Sequence, residues 1–358
     1  MAIQFHKLEV EKIIRRTKDA VSVFFKVPNE TKELWNYKSG QYLTLKFDIY
    51  GNSERRAYSL STSPIADTDF GVTVKEVDGG KVSSYINNTL KVGDIVDVMP
   101  PLGSFTTDLN SNNSPKYFMW AGGSGITPII SLIKSIEKVQ QNSKIKLLYA
   151  NQSVDSIIFK DELEELSNNE NISITHILEK DNDDLADIIG RITPNICSEQ
   201  IKKNPEFLNA EHFMCGPAGM MDQITEALNV LNISKNLIHK ELFTASENQD
   251  KLISKDSANS EENAEPVKSE VTVMIYGEEH TITVEPDETI LQAGIRQNLD
   301  PPFSCQIAAC ATCQAKVLDG KIEMEADDAL TEDEIEDGYV LTCVSHPLTS
   351  TAKIDYDY

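Results

Sequence analysis

Three of the chain's six cysteines, Cys305, Cys310 and Cys313, stand within nine residues of the stretch SCQIAACATC, and a fourth, Cys343, follows in VLTCVSHP. In a reducing compartment, clustered thiols more often hold metal or do redox chemistry than pair as disulfides. The array reads Cys-x4-Cys-x2-Cys, with the fourth ligand after 29 intervening residues. That is the spacing of a two-iron, two-sulfur cluster, in which four thiolates balance two ferric ions. The alternative is a four-cysteine zinc site, but such sites generally use two separate C-x-x-C knuckles. Cys197, outside any motif, reads as structural.

Three further stretches carry residues suited to chemistry. In AGGSGITP, residues 121–128, Gly122, Gly123 and Gly125 sit where an apolar run ends and a helical pattern begins, so backbone N–H groups there can face a pyrophosphate at the positive end of a helix. Read alone, this is equally a tight turn with no ligand, and its spacing is not G-x-G-x-x-G. In EHFMCGPAGMMDQI an apolar strand ends at Cys215, Gly216 and Pro217 turn, and a helix starts near Ala218. Cys215 is a site candidate by position, and a small buried hydrophobe by base expectation. In RRAYSLSTSP, alternation along an extended strand puts Arg56 and Tyr58 on one face and Ser59 on the other. A guanidinium suits a phosphate, a phenol ring stacks on a flat heterocycle, and a hydroxyl can donate to a ring nitrogen. The plain alternative for Arg56 is a solvated charge.

The elements that must hold these residues follow from pattern. With 358 residues there is room for two or three domains, each with a hydrophobic core. Residues 1–108 show short alternating runs such as AVSVFFKVP, with Val21, Val23, Phe25 and Val27 on one face, and predict an antiparallel β-barrel. Residues 115–243 alternate strand and helix: KYFMWA, then a helix over 129–140 with Ile129, Ile130, Leu132, Ile133, Ile136 and Val139 inward, then KIKLLYA. This predicts an α/β domain with a parallel sheet and its ligands at the strands' carboxyl ends. Residues 244–268 are polar and lack aromatics, and predict a flexible linker. The remainder, 269–358, is set apart by charge. Residues 270–358 hold 19 Asp plus Glu against 4 Lys plus Arg, a net of −15 within a total of −24. There VTVMIYGEEHTITV predicts a hairpin turning at Tyr276 and Gly277, and PDETILQAGIRQN a helix capped by Asp287. The acidity disfavours nucleic acid and anionic membrane surfaces as partners and leaves a basic protein open. With no secretory signal in MAIQFHKLEVEK and no membrane-length apolar run, a cytoplasmic protein is expected.

In this order the motifs resemble the ferredoxin-NADP reductase superfamily. RAYSLS is similar to its flavin-binding R-x-Y-S element, GGSGITP to its dinucleotide loop, and CGPAGMM to the C-G-P element beside the nicotinamide. The resemblance covers residues 1 to about 243 and implies a role for each matching residue. Arg56 would hold the flavin pyrophosphate, Tyr58 would stack on the isoalloxazine, and Ser59 would lie by the flavin N5, with Ala57 inside the same element. Val74 and Lys75 of VTVKEV, and Lys81, Val82, Ser83 and Ser84 of GGKVSSYI, would touch the flavin and its phosphates. Gly123, Ser124, Gly125 and Thr127 would meet NAD(P)H, with Cys215, Gly216 and Pro217 at the nicotinamide. Glu241 and Phe243 of HKELF would lie by the flavin, an ordinary strand terminus being the alternative; Ser59, Cys215 and Glu241 are then the catalytic set. PPLGSF, residues 100–105, resembles the closing segment of the FAD type rather than the FMN type. The C-terminal spacing resembles plant-type ferredoxins of α+β, β-grasp fold, with one departure: Ala308 stands where glycine is common. If that position needs positive φ, alanine costs on the order of 1 kcal/mol.

A mechanism follows from the combination. A dihydronicotinamide gives two electrons as hydride and an iron-sulfur cluster takes one at a time, so a flavin between them is expected to handle both steps. The domain order is similar to that of reductase components of oxygenases, the phenylacetyl-CoA epoxidase type among them. It implies a separate di-iron oxygenase as acceptor, reached by a swinging acidic domain. A reductase for another acceptor, such as a hydroxylase or desaturase, and a non-enzymatic redox carrier or sensor remain as alternatives. After KIKLLYA come Asn151, Gln152 and Ser153, with neither an acid nor an arginine, so NADH and NADPH stay equally open.

Overall fold

The computed structural model describes residues 4–180, 185–243, 266–327 and 329–358. The linker expected over 244–268 falls, up to residue 265, outside the described residues; its last part is pinned, Val267 N–H bonding the Pro347 carbonyl at 3.2 Å.

Strands β1 (His6–Thr17), β2 (Ala20–Lys26), β3 (Tyr42–Ile49), β4 (Asn52–Ser59), β5 (Gly71–Lys75) and β6 (Ile95–Val98), with helix α1 (Lys81–Asn88), make the first unit. The strands pair antiparallel in the order β4-β3-β6-β1-β2-β5. A bridge between Leu60 and Val72, with Ser61 N–H on the Gly71 carbonyl at 3.1 Å, links the two edges and closes a barrel, which leaves no long free edge. Val21, Val23 and Phe25 face its core as alternation requires. The opposite face of β2 is also buried, because Ala20 packs into the next domain's core and Ser22 hydrogen-bonds Thr73 at 2.7 Å.

The second unit runs β7 (Lys116–Gly122), α2 (Ile126–Val139), β8 (Lys144–Asn151), α3 (Lys160–Leu166), β9 (Ile172–Leu178), β10 (Ile188–Ile189), α4 (Pro194–Lys203), β11 (Glu211–Gly216), α5 (Ala218–Val230) and β12 (Ile238–Leu242). Its sheet is parallel, ordered β10-β9-β8-β7-β11-β12. The chain moves from β7 outward to β10 and then returns to the other side of β7, so the order reverses between β7 and β11. A crevice opens at the carboxyl ends of those two strands, where ligands of such sheets sit. α2 begins three residues earlier than the periodicity predicted, since Thr127 and Pro128 suit a first helical turn.

The two units share a buried seam. Ser39, Ser135 and Ser63 form a chain of hydroxyls with 2.6 Å steps, Ser131 donates to the Thr62 carbonyl at 2.6 Å, and Phe105 packs edge-on to Phe213. Satisfied polar contacts of this kind fix one relative placement, because a shift strands buried donors.

The third unit holds β13 (Ser269–Ile275), β14 (Glu278–Val284), α6 (Ile290–Arg296), β15 (Gln314–Asp319), β16 (Ile322–Met324), α7 (Glu332–Glu336), β17 (Tyr339–Leu341), β18 (Ser345–Pro347) and β19 (Thr351–Asp355). The main sheet is ordered β14-β13-β19-β15-β17, with β13 and β19 parallel. The first hairpin turns as predicted: Tyr276 and Gly277 both have positive φ, 55° and 77°, as its turn type demands. The helix cap differs from expectation. Thr289, not Asp287, caps α6, its hydroxyl accepting from Gln292 N–H while the Gln292 side chain accepts from Thr289 N–H. This reciprocal box satisfies two orphan donors where a lone aspartate satisfies one.

Candidate functional site

The barrel contributes β4 and its neighbour β3, whose register sets Tyr42 opposite Ser59, Leu45 opposite Arg56 and Lys46 opposite Arg55. Arg56 is about half exposed, and its guanidinium donates to the Arg55 carbonyl and lies 3.7 Å from Glu54. Lys81 reaches the same Glu54 carboxylate at 2.8 Å. Two cations distant in sequence thus converge on one place, beside the N-terminus of α1. Gly80 caps that helix without a side chain, and no acid stands in its first turn. Its leading N–H groups, at Lys81, Val82 and Ser83, are therefore available to an anion. The Ser83 hydroxyl itself fixes the turn, accepting from Val77 N–H and donating to the Gly80 carbonyl; Ser84 N–H already closes on Gly80. This cradle fits the pyrophosphate of a dinucleotide flavin. Ala57 and Tyr58 are half-buried on the same strand, and burial lifts the Tyr58 phenol well above its ordinary value, keeping it neutral. Val74 is fully buried in the barrel core.

The nucleotide domain contributes the crevice. Gly123 has φ 51°, and a Cβ there would meet nothing nearer than the Lys75 ammonium at 3.9 Å, which leaves the backbone open to a ligand. Lys75, paired with Asp19 at 3.7 Å, thereby reaches from the barrel over the glycine turn. Gly125 serves a different need: a Cβ would overlap the Cys215 carbonyl, so only glycine lets α2 start against β11. Thr127 is buried and donates to the Ser124 carbonyl at 3.0 Å, shaping the turn. Cys215 is fully buried one residue before the end of β11, which runs on to Gly216 rather than stopping at Cys215, and Pro217 leads into α5. Phe243, half-buried, packs on this domain's core.

These pieces meet at Glu241. It pairs in register with Cys215 across β11 and β12, and its carboxylate accepts from Ser59 Oγ at 3.1 Å across the domain seam. Burial first, with the nearby Cys310 sulfur adding, raises its carboxyl to about 8 against the opposing pull of the Ser59 hydrogen bond. The group therefore holds a proton at neutral pH. Burial, with Glu241 adding, likewise keeps the Cys215 thiol protonated.

The influence of Cys310 shows the third contributor. In the C-terminal loop Cys305 contacts both Cys310 and Cys343, and Cys343 contacts Cys313, so the four thiols form one set. Gln306 and Ala308 both take left-handed conformations, φ 59° and 56°. This folds the loop round the sulfurs, with Ile307 N–H 3.5 Å from the Cys305 sulfur. Ala308 thus bears the positive φ at which alanine is strained. The fourth cysteine is fixed by its neighbour: Thr342 bonds the Cys313 carbonyl through both N–H and hydroxyl, and Tyr356 donates to that hydroxyl at 2.8 Å. Among the described residues no three His, Cys, Asp or Glu side chains surround a single ion. A two-iron cluster does not require it, because each iron takes only two protein thiolates. The donor set fits that cluster better than tetrahedral zinc.

Residues absent from any motif join the two ends. The Tyr42 hydroxyl lies 3.0 Å and the Thr44 hydroxyl 3.4 Å from Thr312 Oγ1, to which the Cys310 thiol donates at 3.3 Å. No spacing in the sequence signals these contacts, since they span some 270 residues of chain.

The chain matches the family described as oxidoreductase FAD-binding domain over residues 7–107, oxidoreductase NAD-binding domain over 119–226, and 2Fe-2S iron-sulfur cluster binding domain over 273–348. It is 34% identical to the E component of 1,2-phenylacetyl-CoA epoxidase of Escherichia coli (strain K12), over 99% of this chain and 98% of that one. It is 32% identical to the 3-ketosteroid-9-alpha-monooxygenase ferredoxin reductase component of Rhodococcus rhodochrous, over 98% and 96%. Among solved structures, phthalate dioxygenase reductase superposes with a TM-score of 0.59 at 22% identity, over 98% of both chains, a likeness of fold. Among the described residues no helix is long and apolar enough to cross a membrane.

Proposed function

We propose specific residue roles and a specific acceptor for this chain, which belongs to the ferredoxin-NADP reductase superfamily, in its branch of oxygenase reductase components with a C-terminal ferredoxin-type domain. It is an NAD(P)H-dependent oxidoreductase that delivers electrons through FAD and a 2Fe-2S cluster. FAD, when bound, supplies the exchange of one hydride for two single electrons; the protein supplies binding, orientation and protons.

Arg56, Lys81 and the N–H groups of Lys81, Val82 and Ser83 bind the pyrophosphate of FAD, displacing Glu54 as their partner. Tyr58 offers its ring for stacking, and Lys75 with the backbone of Val74, whose side chain is in the barrel core, borders the flavin. Gly123, Ser124, Gly125 and Thr127 hold NAD(P)H at the carboxyl end of β7, with Cys215, Gly216 and Pro217 setting the nicotinamide's depth. The protonated Glu241 keeps a mobile proton at the barrel's edge, held on its carboxyl and oriented by the Ser59 hydroxyl that donates to it, and Phe243 screens it from water. Cys305, Cys310, Cys313 and Cys343 hold the cluster. The observation that carries this reading is the Ser59–Glu241 hydrogen bond at 3.1 Å, with Cys215 paired in register to Glu241 and the Cys310 sulfur close enough to influence its carboxyl.

The acceptor we infer is a separate oxygenase protein of the phenylacetyl-CoA epoxidase type, with a basic docking surface. Likeness to the Escherichia coli epoxidase component and the −15 charge of residues 270–358 support it. The test is anaerobic mixing of the FAD- and iron-loaded protein with NADH or NADPH, followed by candidate oxygenases. Flavin and cluster should both bleach, and reoxidation should be fastest with the epoxidase-type acceptor. Faster transfer to a hydroxylase or desaturase overturns the acceptor, and a protein that carries neither flavin nor iron overturns the whole reading.

A further inference from the structure

Arg55 precedes Arg56 on β4, and strand alternation turns it away from the face proposed for flavin. Its side chain is only 6% exposed, and its partners lie mainly in the C-terminal domain. One terminal nitrogen pairs with the Asp300 carboxylate, and the other donates to the Pro301 carbonyl at 3.2 Å. The guanidinium also lies over the Phe303 ring at 4.2 Å, with Phe5 of its own domain at 5.0 Å. Residues 300–303 run directly into Ser304 and Cys305, so what Arg55 grips is the entrance of the cluster loop. Lys235 and Glu332 make a further contact between the domains at 3.6 Å, but both are exposed, and such a pair contributes little.

We propose that Arg55 is a positioning residue for electron transfer. By holding Asp300, Pro301 and Phe303 it seats the C-terminal domain on the barrel in the one placement that brings Thr312 under Tyr42 and Cys310 beside the Ser59–Glu241 pair. A buried guanidinium separated from its partners is left uncompensated, which favours the seated state. Lysine does not replace it, because a single ammonium cannot serve a carboxylate, a carbonyl and a ring at once. This inference rests on the electron route proposed above and adds what aligns it.

The test uses the full-length protein loaded with FAD and iron. Asp300→Ala alters an exposed side chain that the barrel does not need for folding. Flavin reduction by the nucleotide should proceed as in the wild type, while cluster bleaching slows on the order of 10- to 100-fold, the effect of a misplacement near 1 Å. Arg55→Lys should show the same split. Arg55→Asp combined with Asp300→Arg restores the ion pair alone and should bleach the cluster faster than Arg55→Asp by itself, a coupling that a merely structural arginine would not show. Independently of turnover, amide exchange in Asp300→Ala should rise around residues 42–45 and 310–314 and stay unchanged in β13 and β14. Cluster bleaching at the wild-type rate in both Asp300→Ala and Arg55→Lys, a double variant no faster than Arg55→Asp alone, or unchanged exchange overturns the proposal. Flavin that is not reduced in the wild type overturns the electron route instead.

Discussion

Gly125→Ala tests the close approach on which the nucleotide site depends. Gly125 has φ −61°, a conformation alanine adopts freely, so the backbone does not call for glycine. Space does: an added Cβ would overlap the Cys215 carbonyl and stand 2.8 Å from the Gly216 nitrogen. Those are backbone atoms of a strand paired on both sides, and they cannot rotate away. The first turn of α2 must therefore move by about 1 Å, and overpacking of this kind costs about 1–3 kcal/mol. Against it stands a gain of about 0.4–1 kcal/mol from the narrower unfolded ensemble. The steric effect wins, leaving a net loss of about 1–2 kcal/mol. The displacement falls on Cys215 and Thr127, so the limiting rate of flavin reduction should drop on the order of 100-fold. Gly123→Ala is the control. There φ is positive but the space is open, so stability should fall by only about 1 kcal/mol, and the effect should appear in nucleotide affinity rather than in the limiting rate. Urea unfolding of the apoprotein and stopped-flow flavin reduction over a range of nucleotide concentrations read both quantities. A Gly125→Ala protein as stable and as fast as the wild type would refute the argument.

The Glu241 carboxyl, raised by burial to about 8 from 4.5, makes stability depend on pH. The folded chain keeps a proton that the unfolded chain releases between those values, so this group's contribution worsens as pH climbs through that window and is constant outside it. Relative to Glu241→Gln, the wild type should lose stability from pH 5 to pH 9; urea unfolding that shows the same gap at both ends contradicts the assignment. At Ala308, glycine relieves about 1 kcal/mol of left-handed strain but forfeits a buried methyl and widens the unfolded ensemble by a similar amount, so Ala308→Gly should be near neutral. Ala308→Val, β-branched in that conformation, should assemble less cluster, and iron content equal to the wild type would show the loop to be more yielding than its geometry suggests. Binding of the loaded protein to its oxygenase should weaken steadily with added salt, as docking through the acidic C-terminal domain requires; titration calorimetry showing a flat response would remove charge as the basis of docking.

Much of the site was legible because it rests on local rules. The Cys305, Cys310, Cys313 and Cys343 spacing is what points to the proposed donor set, since one loop must deliver three thiolates at fixed intervals. Glycines at strand-to-helix junctions mark Gly123 and Gly125, although only the structure separates their reasons, positive φ at the first and backbone contact at the second. The Asp287 cap was misplaced because sequence offers several oxygen-bearing residues before α6, and the choice fell to the one whose partner three residues on could reciprocate. Arg55, Tyr42, Thr44 and Thr312 gave no sign, being ordinary residues whose partners lie on another domain.

The amino-acid sequence alone determined which cofactor chemistry this chain can support, because ligand spacing, turn glycines and strand alternation are written over a few consecutive residues. Only the tertiary structure decided where those chemistries touch. The meeting of Ser59, Glu241, Cys215 and Cys310 arises from three units packed together, and packing is set by the shape and burial of whole surfaces, which short-range patterns do not encode.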